Sequence, residues 1–538
     1  MLKEKTQTFS QSILTLMLSQ VIIKLFGIVY KLYLTNKPGF GDSGNAIYAG
    51  AFQIYMLVLT VGCIGIPNAV AKLISERVSI EDYRGAKKIF NVSFILLSFI
   101  GFFGTIFLFL FAHVIANYWI KIPETELSIM ILAPSVFFEA VIAVFKGYFN
   151  GYRNMKPMAK SQTLEQIIKT VFSIIIVESI CIFIEKNTKV MAAGANLATT
   201  ISTFISLMYL FKIYFRERKE ERIFYKRYIN KVEERRVITI LKDILIIAMP
   251  MTLSAVLGSI NKNIDSITII RGLTNFLSRE EAQIQYGILS GKIDMLVTLP
   301  LSFNIAFATA LVPNIASARA RGDYKSISNK VSFSILVNIL IGLPCCVGIF
   351  AFAKPILNML FPNASSGAFI LQISSLSLVF LTVEQTIIGT LQGLGKNFIP
   401  LVGMLCGVLA KLAINLTLVK INPNDFILGG IAGAAFGTVI CHIITSFIGF
   451  IQIKKYINLK MNFIDYVLKP IIATFTMIIF SIGIYKYVDK FVRGNVALII
   501  AIFIAVILYV FMIFKLRILK RKDIKILNFK WNLWINLL

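Results

Sequence analysis

The sequence predicts an all-α polytopic membrane protein with about fourteen transmembrane helices: two pseudo-symmetric six-helix lobes plus two C-terminal helices. The first observation behind this prediction is composition, because 57% of the 538 residues are hydrophobic, 15% are charged and the mean hydropathy is +0.78. Soluble domains are typically about 45–50% apolar and about 25% charged. The second observation is a series of long apolar stretches, and the third is an internal repeat.

The apolar stretches are long enough to cross a hydrocarbon core of about 30 Å. They must be helices, because an unpaired backbone group is costly in lipid and no stretch alternates like a barrel strand. The expected spans are 10–35, 46–75, 89–118, 127–150, 161–185, 190–214, 242–270, 284–316, 331–353, 367–393, 399–420, 427–453, 463–485 and 495–514. The leading segment MLKEKTQTFSQ lacks the features of a cleaved signal peptide, so we expect it to lead from the cytoplasm into the first span.

Three sequence landmarks recur in the same order in the two halves of the chain. They are GYFNGYRNMKP (147–157) with GTLQGLGKNFIP (389–400), Pro67-Asn68 with Pro313-Asn314, and AGANLATTIS from Ala193 with AGAAFGTVIC from Ala432. Recurrence at a nearly constant offset predicts two homologous halves. In a membrane protein, this organisation is typical of a transporter with its substrate path between the halves.

Six spans per repeat is an even number, so both copies enter the membrane in the same direction, as in parallel-repeat transporters. The predicted division is an N-terminal lobe at 1–215, a charged cytoplasmic linker at 216–241, a C-terminal lobe at 242–455, and two further spans with a basic cytoplasmic tail at 456–538. We expect the G-x-x-x-G pairs to allow close helix packing and Pro67, Pro300 and Pro313 to bend long helices.

The net charge of +28 is distributed asymmetrically across the predicted membrane. With the N-terminus inside, 36 of the 55 Lys and Arg residues fall on the cytoplasmic side, 11 fall outside and 8 fall within spans. The positive-inside rule therefore predicts a multi-pass protein of the cytoplasmic membrane with both termini in the cytoplasm. The basic clusters suit anionic membrane lipids, and this distribution argues against nucleic acid as a partner.

Ionisable residues inside apolar spans are costly unless they face a partner or a cavity, which makes each one a candidate for function. The lysines there are Lys24, Lys31, Lys146, Lys169, Lys262, Lys292, Lys411 and Lys469. The acidic residues that we single out are Glu139, Glu165, Asp265, Asp294 and Glu384. Cations on the first helix of each half, Lys24 and Lys31 on one and Lys262 on the other, predict a central cavity for an anionic substrate.

Purely structural explanations stay open for these charges. Local pairing is the alternative for Glu165 with Lys169, for Lys262 with Asp265 and for Lys292 with Asp294. Snorkelling toward the interface is the alternative for Lys31, Lys146 and Lys469.

Other site chemistry is sparse in the sequence. All six cysteines lie in apolar spans without metal-ligand spacing, and His113 and His442 have no ligand partner nearby in sequence. The chain carries no phosphate-cradling loop, nucleophile elbow or zincin motif. We therefore expect neither an enzyme nor a metal or cofactor site.

Several long stretches resemble the MurJ-type and stage V sporulation protein B-type polysaccharide exporters of the multidrug/oligosaccharidyl-lipid/polysaccharide transporter superfamily. The first is YAGAFQIYMLVLTVGCIGIPNAVAKLISE, from Tyr48 to Glu76. The others are MTLSAVLGSINKNIDSITIIRGL and QYGILSGKIDMLVTLPLSFNIAFATALVPNIASARARGD, at 251–273 and 285–323. The resemblance covers nearly the whole chain, including the last two spans.

This resemblance implies a fourteen-helix, two-lobed flippase for undecaprenyl-linked sugar precursors, with lipid II of peptidoglycan as the leading substrate. The match SQVIIKLFGIVYK places Lys24 on the first of the family's helix-1 cations and the second at Tyr30 or Lys31, where the family's members often have Arg. Lysine cannot make bidentate phosphate contacts, so the headgroup geometry would differ. The resemblance also implies a lipid-tail groove at 463–514 and coupling to the membrane potential or an ion gradient.

The resulting hypothesis is alternating access. Lys24, Lys31, Lys262 and Lys292 would attract the pyrophosphate, while Asp265, Asp294, Glu139 and Glu384 would balance these cations or bind a coupling ion. The alternatives are an exporter of another lipid-linked glycan such as a spore-cortex precursor, a multidrug cation antiporter, and a non-transport scaffold whose partners are cell-wall synthesis enzymes.

Overall fold

A computed structural model describes residues 9–152, 154–184, 187–225, 236–459, 461–492 and 494–519. Every regular element in these ranges is a helix. Twelve helices among the described residues are long and apolar enough to cross a membrane. The predicted all-α multi-pass architecture is thereby confirmed, while the exact number of fourteen spans stays a prediction.

The helices cluster into two compact units, and the first comprises residues 1–292 with 419–421. Its helices are α1 (Phe9–Asn36), α2 (Gly41–Cys63), α3 (Ile66–Ser79), α4 (Tyr83–Val114), α5 (Thr125–Gly151), α6 (Lys156–Phe183), α7 (Thr188–Tyr225), α8 (Val237–Leu273) and α9 (Arg279–Gly287). A π-helix over Ile115–Ile120 continues α4, and a second over Ile288–Ile293 follows α9.

The second unit comprises residues 293–418 and 422–538. Its helices are α10 (Asp294–Thr298), α11 (Leu301–Ala320), α12 (Tyr324–Ala351), α13 (Ala353–Leu360), α14 (Ala368–Ser375), α15 (Ser377–Gly393), α16 (Ile399–Leu418), α17 (Ile431–Tyr456), α18 (Lys469–Val488) and α19 (Gly494–Lys515). A π-helix over Ile464–Leu468 leads into α18.

The compact units do not coincide with the predicted lobes, because α8 and α9 cluster with the first unit although the sequence division assigns them to the second repeat. Helix α8 packs on α2 and α3, and α9 packs on α2, which explains this grouping. Part of the predicted linker (226–235) and most of the predicted basic tail (520–538) lie outside the described residues. The division into homologous repeats is a statement about sequence ancestry and stays a prediction.

An aspartate caps the helix that forms the third predicted span of each repeat, α4 in the first and α12 in the second. The Asp82 carboxylate accepts a hydrogen bond from the Gly85 backbone N–H at 2.8 Å, and Asp323 accepts one from the Ser326 N–H at 2.9 Å. Each cap satisfies a backbone donor that the first turn of α4 or α12 leaves unpaired. The shared Asp-Tyr-basic sequence at both starts is a further correspondence between the halves, which the sequence analysis did not identify.

The glycine landmarks pack in the same way in both halves. A Cβ atom at Gly147 or Gly151 of α5 would come within 2.8 Å of Val70 or 2.7 Å of Ile74 on α3. In the second unit, a Cβ at Gly393 of α15 would come within 2.8 Å of Ile315 on α11. The glycines thus allow close helix approach, as the sequence analysis predicts.

The landmark prolines lie at helix breaks or within long helices. Pro67 is the second residue of α3, directly after the break that separates α2 from α3, and Pro300 caps α11 after the short helix α10. Pro313 lies within α11. Two of the three prolines therefore interrupt their predicted spans, because proline lacks the N–H that would continue the helical hydrogen-bond ladder.

Large apolar side chains cover the outward faces of many helices. Ile182, Phe183 and Phe491 are 71%, 81% and 72% exposed, and α4 presents a row of exposed phenylalanines that includes Phe99 and Phe103. Such continuous apolar surface is rare on soluble monomers. These faces fit contact with lipid acyl chains.

Candidate functional site

Helix α1 carries the first two cations of the candidate site in the first unit. Lys24 and Lys31 are seven residues apart, which places them two turns apart on nearly the same helix face. Lys24 is half-buried, whereas Lys31 is only 7% exposed. Helix α1 therefore holds two positive charges within an apolar span.

Lys24 lies close enough to Lys262 of α8 for the two ammonium groups to repel each other electrostatically. Lys262 is exposed, and Asp265 lies one turn further along the same helix, half-buried. Repulsion between like charges in a poorly solvated region costs free energy, which a bound anion between them would offset. The pair is the strongest indication of an anion site in this unit.

Aromatic rings surround the other cations of the site. The Lys31 Nζ lies 4.9 Å from the centre of the Tyr48 ring, and the Lys169 Nζ lies 4.6 Å from that of Phe52 and 5.6 Å from that of Tyr30. The hydroxyls of Tyr30 and Tyr48 are 3.3 Å apart. Ring faces attract ammonium groups without neutralising them, so this cage stabilises the lysines and preserves their positive charge.

Two carboxyl groups, those of Glu139 on α5 and Glu165 on α6, interact with each other in the same unit. Ser206 of α7 lies close to Glu165. Lys146 and Lys169 interact electrostatically with Glu139. The two carboxyl groups therefore interact both with each other and with nearby lysines. The sequence pattern indicated that Glu165 is close to Lys169 on one helix face, but not that it is close to Glu139 on another helix.

Lys292 is fully buried in the π-helix that follows α9, where its Nζ donates to Asp42 Oδ2 at 2.9 Å. The glycines of this segment allow the contact, since a Cβ at Gly287 would overlap the Asp42 carbonyl and one at Gly291 would lie 2.6 Å from the Asn45 Cβ. Spacing along the sequence suggested Asp294 as a local partner of Lys292 and gave no indication of Asp42. The charge of Lys292 is matched by a carboxylate of the protein, which distinguishes it from the repelling lysines Lys24 and Lys262.

Two predicted site residues, Asp294 and Glu384, belong to the second unit. Asp294 is the half-buried first residue of α10. The Glu384 Oε2 lies 2.7 Å from Nδ1 of His442 on α17. This contact corrects the interpretation of His442 as isolated, and His113 likewise contacts a carboxylate, Glu126, at 3.1 Å. The partners lie on other helices, so spacing along the sequence does not identify them.

The remaining lysines of the predicted spans are accounted for separately. Lys411 is 1% exposed in α16 and packs near Gly437, and Lys469 forms an ion pair with Asp465 at 2.6 Å. All six cysteines are free. Among the described residues, no group of three or more His, Cys, Asp or Glu side chains could hold a metal ion.

Solved structures of transporters share this fold. A multidrug resistance MATE family transporter of the MOP superfamily, in an inward-facing conformation, aligns with a TM-score of 0.63 and 17% identity over 82% of this chain and 98% of that chain. The lipid II flippase MurJ in an inward closed conformation aligns with a TM-score of 0.66 and 15% identity over 92% and 97%. The fold class is therefore that of a MATE- and MurJ-like membrane transporter.

Matches of the sequence to known families identify the family of this chain. Residues 9–319 match the family described as Polysaccharide biosynthesis protein, and residues 289–417 match MatE. The chain belongs to the polysaccharide biosynthesis protein family.

Two proteins of Bacillus subtilis (strain 168) are similar over nearly their whole lengths. Stage V sporulation protein B is 24% identical over 96% of this chain and 97% of its own length. The lipid II flippase MurJ is 23% identical over 94% and 95%. The chain is a multi-pass membrane transporter or flippase related to these two proteins.

Proposed function

We propose that this protein flips a polyprenyl-pyrophosphate-linked sugar precursor across the cytoplasmic membrane by alternating access, with lipid II of peptidoglycan as the leading substrate. The observation that carries the proposal is the repulsive pair of ammonium groups, Lys24 on α1 and Lys262 on α8. A pyrophosphate is the anionic part of such a substrate, and binding it between these lysines would replace repulsion with charge-assisted hydrogen bonds.

The surrounding residues support a role in anion binding. Lys31 and Lys169 contribute further positive charge, and they lie over the rings of Tyr48 and Phe52. Lysine is a compact point charge on a flexible stem, so these residues suit a headgroup that changes position during transport. The names of the two Bacillus subtilis relatives agree with a substrate of the cell wall or spore envelope.

The apolar surface of α18 and α19 supports a place for the lipid tail. Phe475, Phe480 and Phe503 are 61%, 56% and 67% exposed on these two helices. A polyprenyl chain is too apolar to cross an aqueous path, so it would remain in the bilayer beside such a surface while the headgroup crosses.

A multidrug cation antiporter is the second candidate, favoured by the MatE match and by the Glu139–Glu165 pair. Cationic drugs require uncompensated negative charge. The first unit carries Lys24, Lys31 and Lys262 in its spans, and the positive charges of Lys146 and Lys169 lie near the carboxyl pair. Export of an anionic headgroup therefore fits the charge balance better.

Reconstituted transport tests the proposal directly. The purified full chain would be placed in proteoliposomes with lipid II, and headgroup arrival on the opposite leaflet would be followed. Losing a charge-assisted hydrogen bond costs about 1.5–3 kcal/mol, so Lys24→Ala and Lys262→Ala should each slow flipping by roughly tenfold or more. Lys354→Ala removes an exposed lysine at the start of α13 and is the matched control.

Unchanged flipping in both site variants would rule out the cation site, and absence of flipping by the unsubstituted chain would rule out lipid II as substrate. Rescue of a strain depleted of its lipid II flippase would separate peptidoglycan precursors from other lipid-linked glycans. A scaffold without transport activity would need the loops and not Lys24 or Lys262 for rescue.

A further inference from the structure

The second unit has one acidic residue deep in its first membrane-spanning helices. Glu384 is the only Asp or Glu between Asp323 and Asp425, and His442 is the only histidine of the sequence after His113. The structure brings these two side chains together although they are 58 residues apart, with 2.7 Å between His442 Nδ1 and Glu384 Oε2.

Helix packing holds the pair in place. Helices α15 and α17 pack against each other, and one turn from the pair Ser446 Oγ donates to the Phe380 carbonyl at 2.9 Å. The side chains of His442 and Glu384 are 12% and 11% exposed. The pair is therefore largely buried among the membrane-spanning helices of the unit.

The groups packed around the pair are mostly uncharged. Helices α11, α12, α14 and α16 pack on α15 or α17. Their ionisable residues, with those of α17 itself, are Arg319, Arg321, Tyr324, Lys325, Lys330, Cys345, Cys346, Cys406, Lys411, Cys441, Lys454, Lys455 and Tyr456. Most of these charges lie in the end turns of their helices, whereas Lys411 lies mid-helix and packs near Gly437, five residues before His442.

The face of α15 toward α12 carries only neutral polar groups near Glu384. Asn338 donates to the Thr382 carbonyl at 3.0 Å, and Ser334 and Thr386 share a hydrogen bond of 3.3 Å. Among the described residues of these packed helices, Glu384 thus supplies the carboxyl group and His442 the imidazole.

We propose that His442 and Glu384 form a proton-binding site that couples the transport cycle to the proton gradient. With the proton bound, the pair is an imidazolium and a carboxylate, and its net charge is zero. Release of that proton to water leaves a neutral imidazole beside a carboxylate, with net charge −1. A net charge is costly in a region of low dielectric constant. The neutral, protonated pair is therefore stable when buried, whereas the deprotonated pair is more stable in a conformation that exposes it to water.

Coupling of this site to glycan flipping depends on the proposed function, whereas proton binding does not. An experiment can therefore contradict the coupling to flipping and still support proton binding, or the reverse. A merely structural role, in which the contact only ties α15 to α17, would leave the response of flipping to a pH gradient unchanged when either member of the pair is substituted.

The first experiment measures the protonation state of His442 directly. The sequence has two histidines, so His113→Asn, which alters an exposed position far from the pair in sequence, leaves one imidazole in the full chain. The protein would be labelled with ¹⁵N-histidine in nanodiscs and observed by NMR from about pH 5 to about pH 9, the range in which histidines titrate. The His442 signal should change from imidazolium to imidazole within this range.

Glu384→Gln should displace that transition by about one pH unit or more, because a contacting carboxylate changes histidine titration by that amount. A His442 signal that keeps one protonation state throughout the range would overturn the proposal. So would a transition that Glu384→Gln leaves unmoved. The titration of the unsubstituted pair decides the question even if Glu384→Gln fails to fold.

The second experiment measures whether a pH gradient drives flipping through this pair. In proteoliposomes, an imposed pH gradient should accelerate flipping by the His113→Asn protein but not by His442→Gln or Glu384→Gln, while a membrane potential alone still drives all of them. A full response to the pH gradient in both pair variants would overturn the coupling role. If no variant flips lipid-linked glycan, the proposed function fails and the NMR titration still decides the proton site.

Discussion

At the scale of single residues, the charges within the spans differ by what each one contacts. Lys24 and Lys262 repel each other, Lys31 and Lys169 lie over aromatic rings, and Lys292 bonds to a carboxylate. A cation with a matched partner supports the fold, whereas repelling cations favour an anionic ligand. The sequence alone does not distinguish these lysines from one another. Their contacts divide them into two groups, and we expect different phenotypes when each group is substituted.

Lys292 and Asp42 should behave as a buried structural pair. Lys292→Met leaves a nearly buried carboxylate, so it should destabilise the protein by about 3–5 kcal/mol, and the double change with Asp42→Asn should recover most of the loss. The melting temperature of the purified protein in detergent measures both effects. His113→Gln, at the exposed pair with Glu126, is the control and should cost about 0–1 kcal/mol. Equal destabilisation in the single and double variants would contradict the pairing.

The Glu139–Glu165 pair predicts a difference between two substitutions at one position. Glu165→Gln keeps a group that can donate or accept in the bond to Glu139, so stability and flipping should remain near those of the unsubstituted chain. Glu165→Ala leaves the Glu139 carboxyl without this partner and should cost about 1–3 kcal/mol. Thermal unfolding and the flipping assay would be compared for both. Equal damage in the glutamine and alanine variants would contradict the interaction between the two side chains.

At the scale of elements, close helix packing explains why the glycine landmarks recur. The α5 glycines pack on α3, and Gly393 of α15 packs on α11, each within its own unit. The Asp82 and Asp323 caps add a second correspondence at the starts of α4 and α12. These contacts describe one helix-packing scheme used twice, which agrees with the repeat predicted from the sequence.

Adding side-chain volume at these glycines should separate the helices. Gly147→Val and Gly393→Val place methyl groups against Val70 and Ile315, and overpacking of this kind costs about 1–3 kcal/mol or more. Gly483→Ala in α18 is the control, because no heavy atom lies within 4 Å of its added Cβ. Alanine there should be neutral or stabilising by about 0.5–1 kcal/mol. Membrane levels and melting temperatures that fall equally in all three variants would contradict the packing explanation.

At the scale of the whole molecule, the distribution of Lys and Arg predicts which ends of the helices face the cytoplasm. The asymmetry is independent of the site and of the substrate, because it reflects how charged loops are retained during insertion. It places Ser79, the last residue of α3, on the cytoplasmic side and Asn363, before α14, on the outside.

Cysteine labelling tests this orientation. In a chain whose six native cysteines are replaced, Asn363→Cys should react with a membrane-impermeant maleimide in intact cells, and Ser79→Cys should react only after lysis. Both positions are exposed in the structure, so accessibility of the side chain does not limit the reaction. The reverse labelling pattern would invert the topology and the direction of the proposed transport.

The sequence by itself determined the helices and the membrane class, because a span is defined by local hydropathy over about 20 residues. The expected span at 127–150 corresponds to Thr125–Gly151, and that at 367–393 to Ala368–Gly393. The packing role of Gly147 was equally readable, since a small residue at helical spacing has few other uses in a span.

Only the tertiary structure decided which charges meet. Asp42 and Lys292 are 250 residues apart, and Glu384 and His442 lie on helices that face each other without any shared sequence pattern. Hydropathy identifies the helices but not which of their faces come together, because an ion pair depends on the rotation and depth of both helices. The sequence therefore placed Lys292 with Lys24 and Lys262 as equivalent cations, and only packing distinguished the matched charge from the repelling pair.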